Sequence, residues 1–150
     1  MGNILMKTNR SLPSKIFVDT WGWFTIANTR ETEYQLMNQI LGSLLESRTH
    51  LFTTDFILDE TYTLVRMKVH HSSALLLHQK IEQICSNNFL KIIHISSEVQ
   101  KISCGIFERY SDKTFSFTDC TSFAIMRSLN ITHVLTDDRH FRQMGFTIMP

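Results

Sequence analysis

Apolar residues in this chain fall into short unbroken runs that alternate with longer stretches in which they recur every three or four positions. The runs "KIFVDT" (15–20), "HLFTT" (50–54), "FLKIIHI" (89–95), "THVLT" (132–136) and "FTIMP" (146–150) read as strands. "EYQLMNQILGSLLES" (33–47) is of the other kind, with Leu36, Ile40, Leu44 and Leu45 at helical spacing. Thr54 and Asp55 are good N-cap types ahead of "FILDETYTLVRMKV", Ser72 and Ser73 ahead of "ALLLHQKIEQIC", and Ser96 and Ser97 ahead of "EVQKISCGIFERY". "FTDCTSFAIMRSLN" (117–130) completes the set of predicted helices. Strand alternating with helix predicts an α/β fold, a parallel sheet with helices on both faces.

Length and composition narrow this picture. The 150 residues suffice for one well-filled core and not for two, so residues 1–150 are read as a single domain, with 1–14 expected to be a flexible N-terminal extension. Five glycines and two prolines leave no linker and no low-complexity tract. The longest apolar runs are far too short to span a membrane, and Ile4-Leu5-Met6 is too short for a signal-peptide core of about 7 to 15 residues. The expected location is the cytoplasm. Cys85, Cys104 and Cys120 are odd in number and unpaired in spacing, and read as small core residues. A net charge of +1 argues against a protein that coats nucleic acid by bulk charge. A nucleic-acid substrate remains open if metal ions help hold the phosphate.

The candidate chemistry lies in the acids. Ligand sites of open α/β sheets form at the carboxyl ends of strands. Asp19 stands at one such end, and the neighbouring pair Asp137 and Asp138 at another. Asp is also a common helix N-cap, so each position alone says little. Glu60 shares a helical arc with Phe56, Leu64 and Met67 at about 100° per residue, and so interrupts an apolar face. Asp119 closes the capping-box pattern "SFTD" (116–119), yet shares a face with Phe123 and Met126. Three or four carboxylates converging on one cleft offer hard oxygen ligands suited to Mg²⁺ or Mn²⁺. The chemistry such a centre supports is metal-assisted phosphodiester hydrolysis.

Taken in order, "IFVDTWGW", "FILDETYTLV", "FSFTDCTSFAIMR" and "VLTDDRHFRQMGF" resemble the motifs of the PIN-domain nucleases, in particular the VapC-like toxin ribonucleases of bacterial toxin–antitoxin pairs. The similarity runs from Lys15 onward. It implies a single PIN-like domain with a mostly parallel five-stranded sheet, and a metal-dependent endoribonuclease acting on RNA. It assigns Asp19, Glu60, Asp119 and Asp138 as catalytic metal ligands, with Asp137 as a further candidate. Thr20 matches the hydroxyl residue that follows the first acid, and Ser116 and Thr136 are candidates for holding the ligands by hydrogen bonds. The resemblance also implies a small antitoxin protein as partner and a homodimer.

Arg66, Lys68, Arg127, Arg139 and Arg142 are candidates to line an RNA path, and Tyr62, Trp21 and Trp23 to stack on bases. Ordinary solvated charges and core aromatics are the competing readings of these residues. A phosphatase of the haloacid dehalogenase type would need Asp-x-Asp where this chain has Asp19-Thr20-Trp21. The alternatives kept open are a catalytically inactive PIN-like module that binds RNA or protein, and a stand-alone RNA-processing nuclease.

Overall fold

The computed structural model describes residues 11–150. Strands β1 (Lys15–Val18), β2 (His50–Thr54), β3 (Leu90–Ile93), β4 (His133–Leu135) and β5 (Thr147–Met149) form one sheet in the order β3-β2-β1-β4-β5. Every neighbouring pair is parallel, so the sheet expected to be mostly parallel is wholly so among the described residues. Parallel strands need crossovers, and the helices supply them. Helices α1 (Thr20–Ala27) and α2 (Tyr34–Glu46) link β1 to β2, while α3 (Asp55–Lys68) and α4 (His71–Ser86) link β2 to β3. Helices α5 (Ser97–Arg109) and α6 (Phe117–Ser128) return the chain to β4, and α7 (Arg139–Gln143) leads to β5.

The chain therefore steps outward from β1 through β2 to β3, then crosses back to the other side of β1. With right-handed crossovers this reversal sends the two helix groups to opposite faces. Helices α1 to α4 pack among themselves, and α5 packs on α6. The direction changes between β1 and β4, and the loops leaving those two strands diverge there. Such a switch point is where an open α/β sheet has a crevice.

Local chemistry explains most boundaries. Thr54 caps α3 by accepting from the Ile57 N–H, and Ser96 caps α5 by accepting from the Val99 N–H. Asp55 instead takes the N–H groups of Phe56 and Ile95, which ties the start of α3 to the end of β3. Helix α4 starts earlier than Ser72-Ser73 suggests, because the His70 ring caps it by accepting from the Ser72 N–H. Helix α1 has no sequence signature of its own, since "TWGWFTIA" is rich in aromatic and β-branched residues of modest helix propensity. Packing decides it: Trp23, Thr25 and Ile26 are buried, and the Trp23 indole donates to Thr53 Oγ1, whose hydroxyl donates to the Val18 carbonyl. Gly22 permits the close approach, because a Cβ there would lie 2.8 Å from the Leu135 carbonyl oxygen.

Phe17, Trp23, Phe123, Met126 and Phe141 are fully buried at the centre of the core. The cysteines depart from the expectation of three core residues. Cys120 is buried, Cys85 half-buried, and Cys104 exposed, because α5 turns Ser103 and Ile106 inward and leaves Cys104 off that stripe. Residues 1–10 of the expected extension lie outside the described residues. At its end Leu12 packs on the core, and the Pro13 and Ser14 carbonyls accept from the Thr49 hydroxyl and the His50 N–H. Among the described residues no helix is long and apolar enough to cross a membrane.

Candidate metal centre

Asp19 follows β1 directly, and its N–H donates to the carbonyl of Leu135 at the end of β4. Its side chain is only 7% exposed and does not cap α1, although the residue occupies the N-cap position. Instead the Thr136 hydroxyl donates to Asp19 Oδ2 at 2.8 Å. The same hydroxyl oxygen accepts from the Asp138 N–H at 3.1 Å, so one buried threonine sets both acids of the switch point. Asp138 caps α7 through Oδ1, which accepts from the His140 N–H. Asp119 completes a full capping box: its N–H donates to the Ser116 hydroxyl, and its Oδ2 accepts from the Ser116 N–H. That box holds the carboxylate facing α7.

The first turn of α7 brings His140 between these acids. Its Nδ1 lies 3.1 Å from Asp138 Oδ1 and 3.6 Å from Asp119 Oδ2. Proximity here is not a hydrogen bond: the buried Nδ1 is aligned with neither oxygen and has no partner. Nε2 on the other side of the ring contacts the Thr114 hydroxyl at 3.1 Å. One donor atom each from Asp119, Asp138 and His140 lies within 4.8 Å of the others, a spacing that fits one ion.

Burial pushes the Asp19 carboxyl up to about 7, with the charges of Asp119 and Asp138 adding to the shift and the Thr136 hydroxyl opposing it. Asp119 is also raised, by burial first and then by Asp138, against its hydrogen bonds from Ser116 and the nearby His140. No cationic side chain pairs with Asp19 among the described residues. Asp19 stands outside the close group of Asp119, Asp138 and His140 but feels the charge of both acids; a buried carboxylate so placed, with a buried ring nitrogen left unpartnered, is an arrangement that a divalent cation would relieve. The residues present fit a hard cation such as Mg²⁺ or Mn²⁺, with mainly oxygen donors and one imidazole.

The other candidates fall in different places. Glu60 is exposed on α3 and stands outside the cluster of Asp119, Asp138 and His140; it lines an open cleft of about 500 Å³ with Phe56, Leu64, Met67 and Thr118. The arc shared by Phe56, Glu60, Leu64 and Met67 is thus the cleft wall, Met67 being 79% exposed, and not the buried face the periodicity suggested. The buried face of α3 is Ile57, Leu58, Thr61 and Val65. Thr118 in that cleft adjoins Asp119 in sequence, which puts Glu60 on the approach to the acids. Thr20 is buried with its hydroxyl unpartnered. Asp137 is exposed and turned from the cluster, lining a second pocket with Glu33; burial, then Asp138, Glu33 and Glu31, raise its pKa. Trp23 is core, Tyr62 pairs with His78, and Arg66, Lys68, Arg127, Arg139 and Arg142 are all exposed. His140 matches no motif or periodicity in the sequence, and the signal for it is its place two residues beyond Asp138, where a helix start turns a side chain back toward its cap.

The model of the PIN-domain family matches residues 16–147, all five strands included. The chain belongs to the PIN-domain family. This PIN domain is 25% identical over 131 residues to the 23S rRNA-specific endonuclease VapC20 of Mycobacterium tuberculosis, covering 87% of this chain and 95% of that protein. It is 27% identical over 124 residues to a VapC ribonuclease of Archaeoglobus fulgidus, covering 81% and 76% of the two chains. Its homologues are thus VapC ribonucleases. The crystal structure of Mycobacterium tuberculosis VapC20, described as a sarcin-ricin loop cleaving toxin, superposes with a TM-score of 0.77 at 24% identity, over 88% of this chain and 96% of that one. That of FitAcB from Neisseria gonorrhoeae superposes with a TM-score of 0.65 at 16% identity, over 90% and 96%. Both likenesses bear on the fold, and they match the single five-stranded α/β domain.

Proposed function

We propose that this PIN domain is a divalent-metal-dependent endoribonuclease that hydrolyses RNA phosphodiester bonds, and that it is the toxin of a toxin–antitoxin pair working in the cytoplasm. The observation that carries the reading is the unpaired buried carboxylate of Asp19, set beside Asp119 and Asp138 at the switch point. A structural acid buried this deeply would have a cationic partner, and among the described residues this group has none. Its VapC homologues cut RNA by their names, and membership of the PIN-domain family together with the acids at the strand ends of this chain supports that chemistry here.

Asp19, Asp119 and Asp138 would hold Mg²⁺ or Mn²⁺, with His140 beside them and Glu60 on the approach. A divalent cation in this place supplies positive charge for the phosphodiester and lowers the pKa of a bound water. Thr136 fixes the Asp19 carboxylate and orders the loop that presents Asp138, and Ser116 does the same for Asp119. The apolar strip of Phe56, Leu64 and Met67 along the cleft supports a protein partner that covers it, and a small antitoxin is the partner proposed. A homodimer is the proposed assembly.

Purified protein should cleave single-stranded RNA with Mg²⁺ or Mn²⁺ and not with EDTA. Asp19→Asn and Asp119→Asn should each lose more than about 100-fold of that activity while remaining folded. Near wild-type cleavage by either folded variant would remove the site assignment. Cleavage that persists undiminished in EDTA would remove the metal.

A further inference from the structure

A second pocket, of about 290 Å³, opens on the other side of the β4–α7 loop. Its walls include Trp21, Glu33, Asp137, Arg139, Arg142 and Ile148. Thr136 and Asp137 belong to both the pocket and the loop that presents Asp138, so the pocket borders the proposed scissile site directly. We propose that this pocket is a nucleotide subsite of the nuclease: one unpaired RNA base stacks on Trp21, while Arg139 and Arg142 take the flanking phosphates. The inference rests on the ribonuclease reading for its substrate class.

Three observations support it. Trp21 is half-exposed, whereas Trp23 two residues on is buried and hydrogen-bonded to Thr53, so α1 places one indole in the core and offers the other to the pocket. A half-exposed indole beside a cavity is a stacking platform that accepts any base. Arg139 and Arg142 lie three residues apart on one face of α7, and neither makes an ion pair or side-chain hydrogen bond among the described residues. Their guanidinium groups are free to take phosphate oxygens. The volume suits one nucleotide-sized group and excludes a duplex.

The carboxylates of Glu33 and Asp137 define what enters. They repel a phosphate placed inside the pocket and accept from hydroxyl or amino groups, which favours a nucleoside within and phosphates at the arginine rim. Bulk charge is not the source of affinity in a chain of net charge +1; two unengaged arginines and one aromatic face are a local one.

The test separates binding from cleavage. A mixed-sequence single-stranded oligoribonucleotide is titrated in EDTA, where the metal reaction is off, and read by anisotropy of a labelled end and by quenching of tryptophan fluorescence. Binding should quench Trp21 emission. Trp21→Ala should weaken binding about 5- to 100-fold, Trp21→Phe should restore most of it, and Arg142→Ala should lower the slope of log affinity against log salt by about 0.7. Unchanged affinity in Trp21→Ala, or an unchanged salt slope in Arg142→Ala, would overturn the subsite whether or not the wild type cuts RNA with Mn²⁺. Trp21-dependent binding by a wild-type protein that cuts no RNA with Mn²⁺ would uphold the subsite and overturn the nuclease reading.

Discussion

Replacing Asp19 by Asn should make the metal-free protein more stable, and only above a defined pH. Burial lifts this carboxyl from 3.8 to about 7 in the folded chain. Below about pH 4 it is protonated in both folded and unfolded states and costs nothing. Between about 4 and 7 the folded protein keeps the proton and the unfolded chain releases it, so the folded state binds more protons and stability falls as pH rises. Each pH step carries about 1.36 kcal/mol, so the full span costs up to about 4 kcal/mol by pH 7 and then levels off. Asn is nearly isosteric with the neutral acid, and its carbonyl oxygen still accepts from the Thr136 hydroxyl, so the substitution removes the titration and little else.

Urea unfolding in EDTA, run for both proteins from pH 4.5 to 8, gives the difference directly. The two should be close at pH 4.5, and the variant should lead by up to about 4 kcal/mol at pH 8, on the order of 10 °C in Tm for a domain of this size. Asp119 is raised as well, but it is present in both proteins and largely cancels in the difference. Adding Mn²⁺ should then stabilise the wild type more than the variant, since the ion binds the charged form. A stability difference that does not change with pH, or a variant less stable at pH 8, would refute the claim that Asp19 is a buried charge awaiting a cation.

Thr136→Val keeps the shape of the side chain and deletes both hydrogen bonds of its hydroxyl. It should cost about 1 to 3 kcal/mol of stability and about 10- to 100-fold in Mn²⁺ affinity by calorimetric titration. Asp138→Asn should lose most RNA cleavage at limiting Mn²⁺, whereas Asp137→Asn should lose little, because Asp137 is exposed and turned toward Glu33. The reverse ranking in a metal titration would place the fourth acid one residue earlier.

What the sequence made legible here is what local chemistry decides. Caps at Thr54, Ser96 and Ser116 depend on a hydroxyl and an N–H three residues away, and the strands on unbroken apolar runs; both can be read without a partner segment. Helix α1 could not be, because its aromatic residues become helical only where Trp23 finds Thr53 and Gly22 meets the end of β4. Glu60 shows a subtler limit. Angular arithmetic groups it correctly with Phe56, Leu64 and Met67, but α3 has two apolar arcs, and only the packing against α1 and α4 selects the one holding Ile57 and Val65. His140 depends on a contact across 21 positions, with Asp119, and no periodicity carries that information.

The crowding of Asp137 and Asp138 is resolved by direction. A strand end sends neighbouring side chains to opposite sides, and here one enters the α6–α7 crevice while the other reaches the pocket beside Glu33. Asp138 is held by the His140 backbone N–H, from which it accepts as the cap of α7, and Asp137 is exposed. Two like charges can therefore stand in sequence contact because the fold turns each to a different place, Asp138 toward Asp119 and His140, and Asp137 to the pocket lined by Trp21, Glu33, Arg139 and Arg142.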